Sequence, residues 1–68
     1  MTIDEFTQDI EDGIKEYPSN WRYGQKVFNY VDEKYGVADL VRFLDKIDCF
    51  YNDELAVNFI ICAYRRIV

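Results

Sequence analysis

Apolar residues recur along this 68-residue chain at steps of three and four, and four segments carry the pattern. In the first, Ile3, Phe6, Ile10, Ile14 and Tyr17 form one stripe, as in an amphipathic helix with a single buried face. Thr2 followed by Glu5 is a capping-box pair and marks the start. Pro18 forces the residue before it out of helical geometry, so this helix is predicted to end near Tyr17. The second helix is predicted from Ser19 or Asn20, either of which can cap it, to Tyr35, with Gly36 as the closing residue. Its apolar positions, from Trp21 and Tyr23 through Val27, Phe28, Tyr30 and Val31 to Tyr35, cover about half the circumference. That width suits contact with two neighbours and places the helix centrally.

The third segment, "VADLVRFLDKI", reads as a short helix with Val37, Leu40, Val41 and Leu44 on its inner side and Phe43 and Ile47 beside them. A turn, "DCFYND", follows. The fourth, "DELAVNFIICAYRRIV", has Asn52 as its cap, Asp53 and Glu54 in its first turn, and Arg65 and Arg66 in its last. Those charges match the helix dipole at both ends. Between Leu55 and Tyr64 only Asn58 is plainly polar, so this helix is predicted to be buried on all sides. Val57, Phe59, Ile60 and Ile61 also favour strands, but the length and the caps select a helix. The expected fold is all-α: a compact bundle of three longer helices and one short helix, forming a single domain over residues 1–68. Three short helices do not suffice to cover the fourth, which points to a homodimer.

Gly24 interrupts this regular picture. Placed one turn inside the predicted second helix, it costs about 1 kcal/mol relative to Ala, and something must offset that. Close approach of another helix is one explanation, with Gly13 of the first helix as the facing small residue. The other is a shallow notch floored by Gly24, with Trp21 and Arg22 on one side and Gln25 and Phe28 on the other. Trp and Arg are enriched at binding hot spots, so Trp21, Arg22, Gly24, Gln25 and Phe28 form the candidate partner-binding site.

Charge adds a second candidate. Residues 1–16 hold six acids against Lys15 alone, while acids and bases cancel over residues 17–68, so the formal charge of −5 belongs to the first helix. Glu5, Asp9, Asp12 and Glu16 form an acidic face about 16 Å long at the helical rise. Such a row resembles the charge spacing of a nucleic-acid backbone and suits either mimicry or simple solvation. The same balance argues against direct binding to nucleic-acid phosphates.

The inventory of reactive groups is thin. There is no His to act as a base near neutrality, and Ser19 lacks a triad context. Cys49 sits among acids, which raise a thiol pKa rather than lower it; it and Cys62 read as small buried hydrophobes. Asp48, Asn52, Asp53 and Glu54 bunch around one turn, but helix capping accounts for them and the spacing of a calcium loop is absent. No catalytic residue, metal site or cofactor is expected. The start, "MTIDEF", lacks the basic and apolar regions of a signal peptide, and no apolar run is long enough for a membrane span. A cytoplasmic chain with reduced thiols is the expectation.

The segments "WRYGQKVFN" (21–29) and "DCFYND" (48–53) resemble a group of short proteins of bacteria and their phages. Members carry W-R-x-G-Q-x-x-F-N, then D-x-F-Y-[ND]-D, then a helical tail. The resemblance covers residues 20–68 and falls on Trp21, Arg22, Gly24, Gln25, Phe28, Asn29, Asp48, Phe50, Tyr51 and Asp53. It implies a small helical domain of mobile-element type and brings no activity with it. The acidic first helix lies outside it.

The function expected is that of a non-enzymatic interaction protein that modulates or inhibits a host macromolecule, such as a defence-system protein. A second expectation is sequestration of a small anionic ligand such as a nucleotide at a dimer interface. Arg22, Arg42, Arg65 and Arg66 would hold the phosphates, and Trp21 or a Tyr would stack on the base.

Overall fold

The computed structural model describes residues 1–68 and contains four helices and no strand. Helix α1, Ile3–Gly13, tightens into a 3-10 turn over Ile14–Glu16. Both halves of its capping box are made: the Glu5 N–H donates to Thr2 Oγ1 at 3.1 Å, and the Thr2 N–H donates to Glu5 Oε1 at 2.8 Å. Tyr17 is extended, with φ −79 and ψ 159, as the following proline requires.

Helix α2, Tyr23–Tyr35, begins later than the spacing of Ser19 and Asn20 predicts. The Trp21 N–H donates to the Pro18 carbonyl at 3.1 Å. Ser19 and Asn20 are thereby the centre of a turn, a position their short polar side chains favour, and neither caps the helix. Arg22 precedes the first helical residue, in extended geometry. Gly24 consequently sits in the opening turn and not one turn further in. At the other end Gly36 takes φ 70, and its N–H reaches the Val31 and Asp32 carbonyls, both at 3.1 Å. This is the left-handed closure expected of a glycine in that place.

Helix α3 is Ala38–Leu44, and helix α4 is Ala56–Ile67, entered through a 3-10 turn at Asp53–Leu55. Asn52 caps that turn, accepting the Glu54 N–H at 3.0 Å. Helix α2 touches all three others and is central, as its apolar width requires. Phe6 and Ile10 of α1, Val27 and Val31 of α2, Val41 of α3 and Phe59 of α4 meet in a core without exposure. Each such side chain contributes about 1.5–3 kcal/mol by leaving water.

Two expectations about burial are overturned. In α3, Leu40, Phe43 and Leu44 face outward, at 44%, 61% and 64% exposure, while Ala38 and Val41 pack inward. The Arg42 guanidinium accounts for part of this. It lies 4.8 Å from the centre of the Phe28 ring and 4.9 Å from that of Phe43, so it covers the core edge that a leucine would otherwise take. Helix α4 is buried on one side only, through Ala56, Phe59, Ile60 and Ala63; Val57 is 67% exposed. Within one chain the other three helices cover that side alone and leave the rest of α4 partly exposed.

Gly13 and Gly24 do not face each other. A methyl group at Gly13 would collide with the Tyr30 ring, so the bare backbone there lets that ring lie against α1. No helix is long and apolar enough to cross a membrane.

Candidate functional site

The residues of the second helix's opening turn converge with those of the 48–53 turn. A Cβ at Gly24 would overlap the Cys49 carbonyl oxygen, which explains the glycine. The Gly24 N–H donates to Asp53 Oδ1 at 2.8 Å. Asp53 therefore does for α2 what a capping side chain does from the residue before a helix, but from 29 positions later in the chain. The Cys49 thiol returns the contact, donating to the Gly24 carbonyl at 3.3 Å. The Arg22 guanidinium donates to the Phe50 carbonyl and lies 3.9 Å from Asp53. Asp48 holds the turn itself by accepting the Phe50 N–H at 2.9 Å. The notch proposed over Gly24 is thus filled by the protein's own backbone.

The five candidate residues divide accordingly. Gly24 and Phe28 are buried; the Phe28 ring packs edge-on against Phe50 at 5.7 Å and in a tilted arrangement against Phe59 at 5.4 Å. Gln25 is half-buried, and its carbonyl accepts the Asn29 side-chain amide at 2.8 Å. Trp21 and Arg22 remain at the surface in part, with Trp21 stacked on Tyr17 at 5.2 Å. Tyr51 is the residue that the spacing did not single out by itself. It is 75% exposed, yet its ring sits against Phe50 at 4.8 Å and 6.0 Å from the Arg22 guanidinium. Trp21, Arg22 and Tyr51 are the members of this cluster that a partner can reach.

The acidic face is also divided. Asp9 leaves the row and turns toward α2, accepting from Lys34 at 2.8 Å, from Tyr30 at 3.0 Å and from the Tyr35 hydroxyl. Glu5 is engaged in the capping box, and Asp12 takes Gln8 at 3.0 Å and Lys15 at 3.5 Å. Glu16 is exposed. The four carboxylates do not form a continuous free row, which weakens the likeness to a phosphate backbone.

Phenols of α2 and its approach lace onto carboxylates. Tyr23 donates to Glu11 at 2.5 Å and Tyr17 donates to Glu33 at 2.9 Å. Burial first, then these carboxylates, push the Tyr17, Tyr23 and Tyr35 hydroxyls up to about 12. A raised phenol stabilises the fold fully below its unfolded value near pH 10 and ceases to do so as pH rises through the folded value. Alkaline titration followed by the phenolate absorbance is expected to show these three ionising only above pH 10, together with loss of helical circular dichroism.

Burial, then the charge of Asp48, pushes the Cys49 thiol up to about 12. Cys49 has no exposure, whereas Cys62 is half-buried and both are free. A thiol so placed is a poor nucleophile. In native protein, a maleimide is expected to modify Cys62 first and Cys49 only after denaturant is added, as peptide mass spectrometry would show.

Three of the four arginines have a carboxylate partner within the chain. Arg22 lies near Asp53, Arg42 pairs with Asp39 at 2.7 Å, and Arg66 pairs with Asp45 at 2.9 Å. No group of three His, Cys, Asp or Glu side chains is placed to hold a metal ion. No protein-family model, curated protein or solved structure matches this chain.

Proposed function

We propose that this chain is a small non-enzymatic protein that binds another protein and modulates or inhibits it, with Tyr51, Arg22 and Trp21 making the contact. The observation that carries this reading is the state of Tyr51, a large aromatic ring that is exposed but already held against Phe50 and near Arg22. A side chain fixed before binding loses little freedom on binding, and Tyr, Trp and Arg are the residue types that dominate interface energies. The likeness to short phage proteins supports a host protein, including one of a defence system, as the target. Leu40, Phe43 and Leu44, one turn of exposed apolar surface on α3, support a second copy of the chain as a further partner.

The test is affinity purification from the native host with wild type beside Tyr51→Ala and Trp21→Ala. Arg22 is left in place because it holds the Phe50 carbonyl. A protein retained by wild type and lost by both variants, each still helical, is the expected result. A partner captured equally by all three would refute the contact. For the second copy, light scattering is expected to give twice the chain mass at micromolar concentration, and Phe43→Asp the single mass.

A further inference from the structure

A groove of about 250 Å³ runs between α1 and α4, bordered by Tyr23 of α2. Its walls are Ile3, Tyr23, Val57, Ile60 and Ile61, with Asp4 and Thr7 as the polar lining residues. Small-molecule sites usually enclose about 300–1,000 Å³, so this groove suits one or two side chains of a larger partner better than a whole ligand. Its lining is mainly apolar and its surroundings are acidic. Asp4 has no ion-pair partner in the chain, and Glu11, which accepts the hydroxyl of the wall residue Tyr23, has none either. Lys15, the sole base of the first sixteen residues, is taken by Asp12. Asp9 and Asp12 are paired with Lys34 and Lys15, so the uncompensated charge beside the groove is that of Asp4 and Glu11.

We infer that this groove docks an amphipathic helical segment of a partner protein, with aliphatic anchors on one face and lysine or arginine on the flanks. Aliphatic residues one turn apart on such a segment match a groove built from two helices. The flanking positive charges meet Asp4 and Glu11, which speeds encounter and sets orientation more than it adds affinity. The inference does not depend on the contact through Tyr51.

The probe is a synthetic amphipathic helix with leucines at i, i+3, i+4 and i+7 and lysines elsewhere. Two controls accompany it: the same leucines with glutamates, and the lysine peptide scrambled. Binding is read by fluorescence anisotropy and by amide chemical shifts of the full chain. The lysine helix is expected to bind, to shift Ile3, Val57 and Ile61, and to weaken as salt is raised. Val57→Lys alters an exposed wall residue and is expected to weaken binding about tenfold or more, equivalent to about 1.4 kcal/mol. Asp4→Asn with Glu11→Gln, which keeps the shape of both side chains and an oxygen to accept the Tyr23 hydroxyl, is expected to reduce affinity and the salt dependence together. Equal binding of the scrambled peptide would show bulk charge attraction alone and overturn the inference. Equal binding of the glutamate peptide, or shifts confined to other surfaces, would overturn it as well.

Discussion

Gly24→Ala is expected to destabilise the fold by about 1–3 kcal/mol or more. Helix propensity alone says the reverse, since Ala is about 1 kcal/mol better than Gly within a helix. The structure decides against propensity, because the added methyl overlaps the Cys49 carbonyl oxygen, with Asp53 Oδ1 next nearest at 2.9 Å. Backbone on one side and a bonded carboxylate on the other leave no flexible chain end to move aside. Overpacking of this kind costs about 1–3 kcal/mol and more where backbone must shift. A domain of this size has only about 3–10 kcal/mol in total. Displacing the 48–53 turn also breaks the Gly24–Asp53 and Cys49–Gly24 hydrogen bonds. Thermal unfolding by circular dichroism is the measurement. A variant melting at or above the wild-type temperature would show that the turn yields freely and that the close approach is not what selects glycine.

Asp9→Ala is expected to be the most damaging change on the acidic face, at about 1.5–3 kcal/mol, the range for hydrogen bonds to a charged group. It removes the common acceptor of Lys34, Tyr30 and Tyr35. Removal of Asp12, whose partners are exposed, is expected to cost under about 1 kcal/mol. The two thus separate the carboxylate that joins α1 to α2 from those that face water. Acidity provides the second readout. Partial burial tends to raise the Asp9 carboxyl, but hydrogen bonds from Lys34, Tyr35 and Tyr30 outweigh it and hold the group below its usual range. A depressed carboxylate stabilises the fold fully above its unfolded value near pH 4 and ceases to do so as pH falls through the native value. Wild type is therefore expected to lose stability below about pH 4, and Asp9→Asn to lose less over the same window. Parallel acid profiles would exclude Asp9 as a contributor.

Most of the helical framework could be read from neighbours in sequence. Thr2 and Glu5, Pro18, Gly36 and Asn52 each act within a few residues, and local chemistry specifies what they do. The start of α2 could not be read this way, because its decisive partners, the Cys49 carbonyl and Asp53, lie a long way down the chain. Periodicity has no access to such contacts, so Ser19 and Asn20 looked like caps and Gly13 like the partner of Gly24. For α3 the difficulty was different. Counting apolar residues favours Leu40 and Leu44 for the interior, yet Ala38 fits closer and Arg42 covers the Phe28 ring. The groove walls had a faint signal in Val57 and Ile61, one turn apart on the side of α4 away from Phe59. The nearly continuous apolar run around them hid it.

The "WRYGQ" and "DCFYND" segments look like two motifs but operate as one interlocking unit. Each supplies what the other lacks: bare backbone and an amide from Gly24, a carbonyl and a carboxylate from Cys49 and Asp53. Trp21 and Tyr51 are the aromatic residues of these segments whose rings lie outside that interlock, one against Tyr17 and the other against Phe50.

The reach of Asp53 back to Gly24 also imposes an order on assembly. Closing a contact across that span costs loop entropy that local helix growth does not. During synthesis, a nascent chain released only as far as residue 47 can wind the middle of α2 but has nothing to seat its first turn. Protection of the Gly24 amide against solvent exchange is therefore expected to appear only once the 48–53 segment has been made and has folded back onto it.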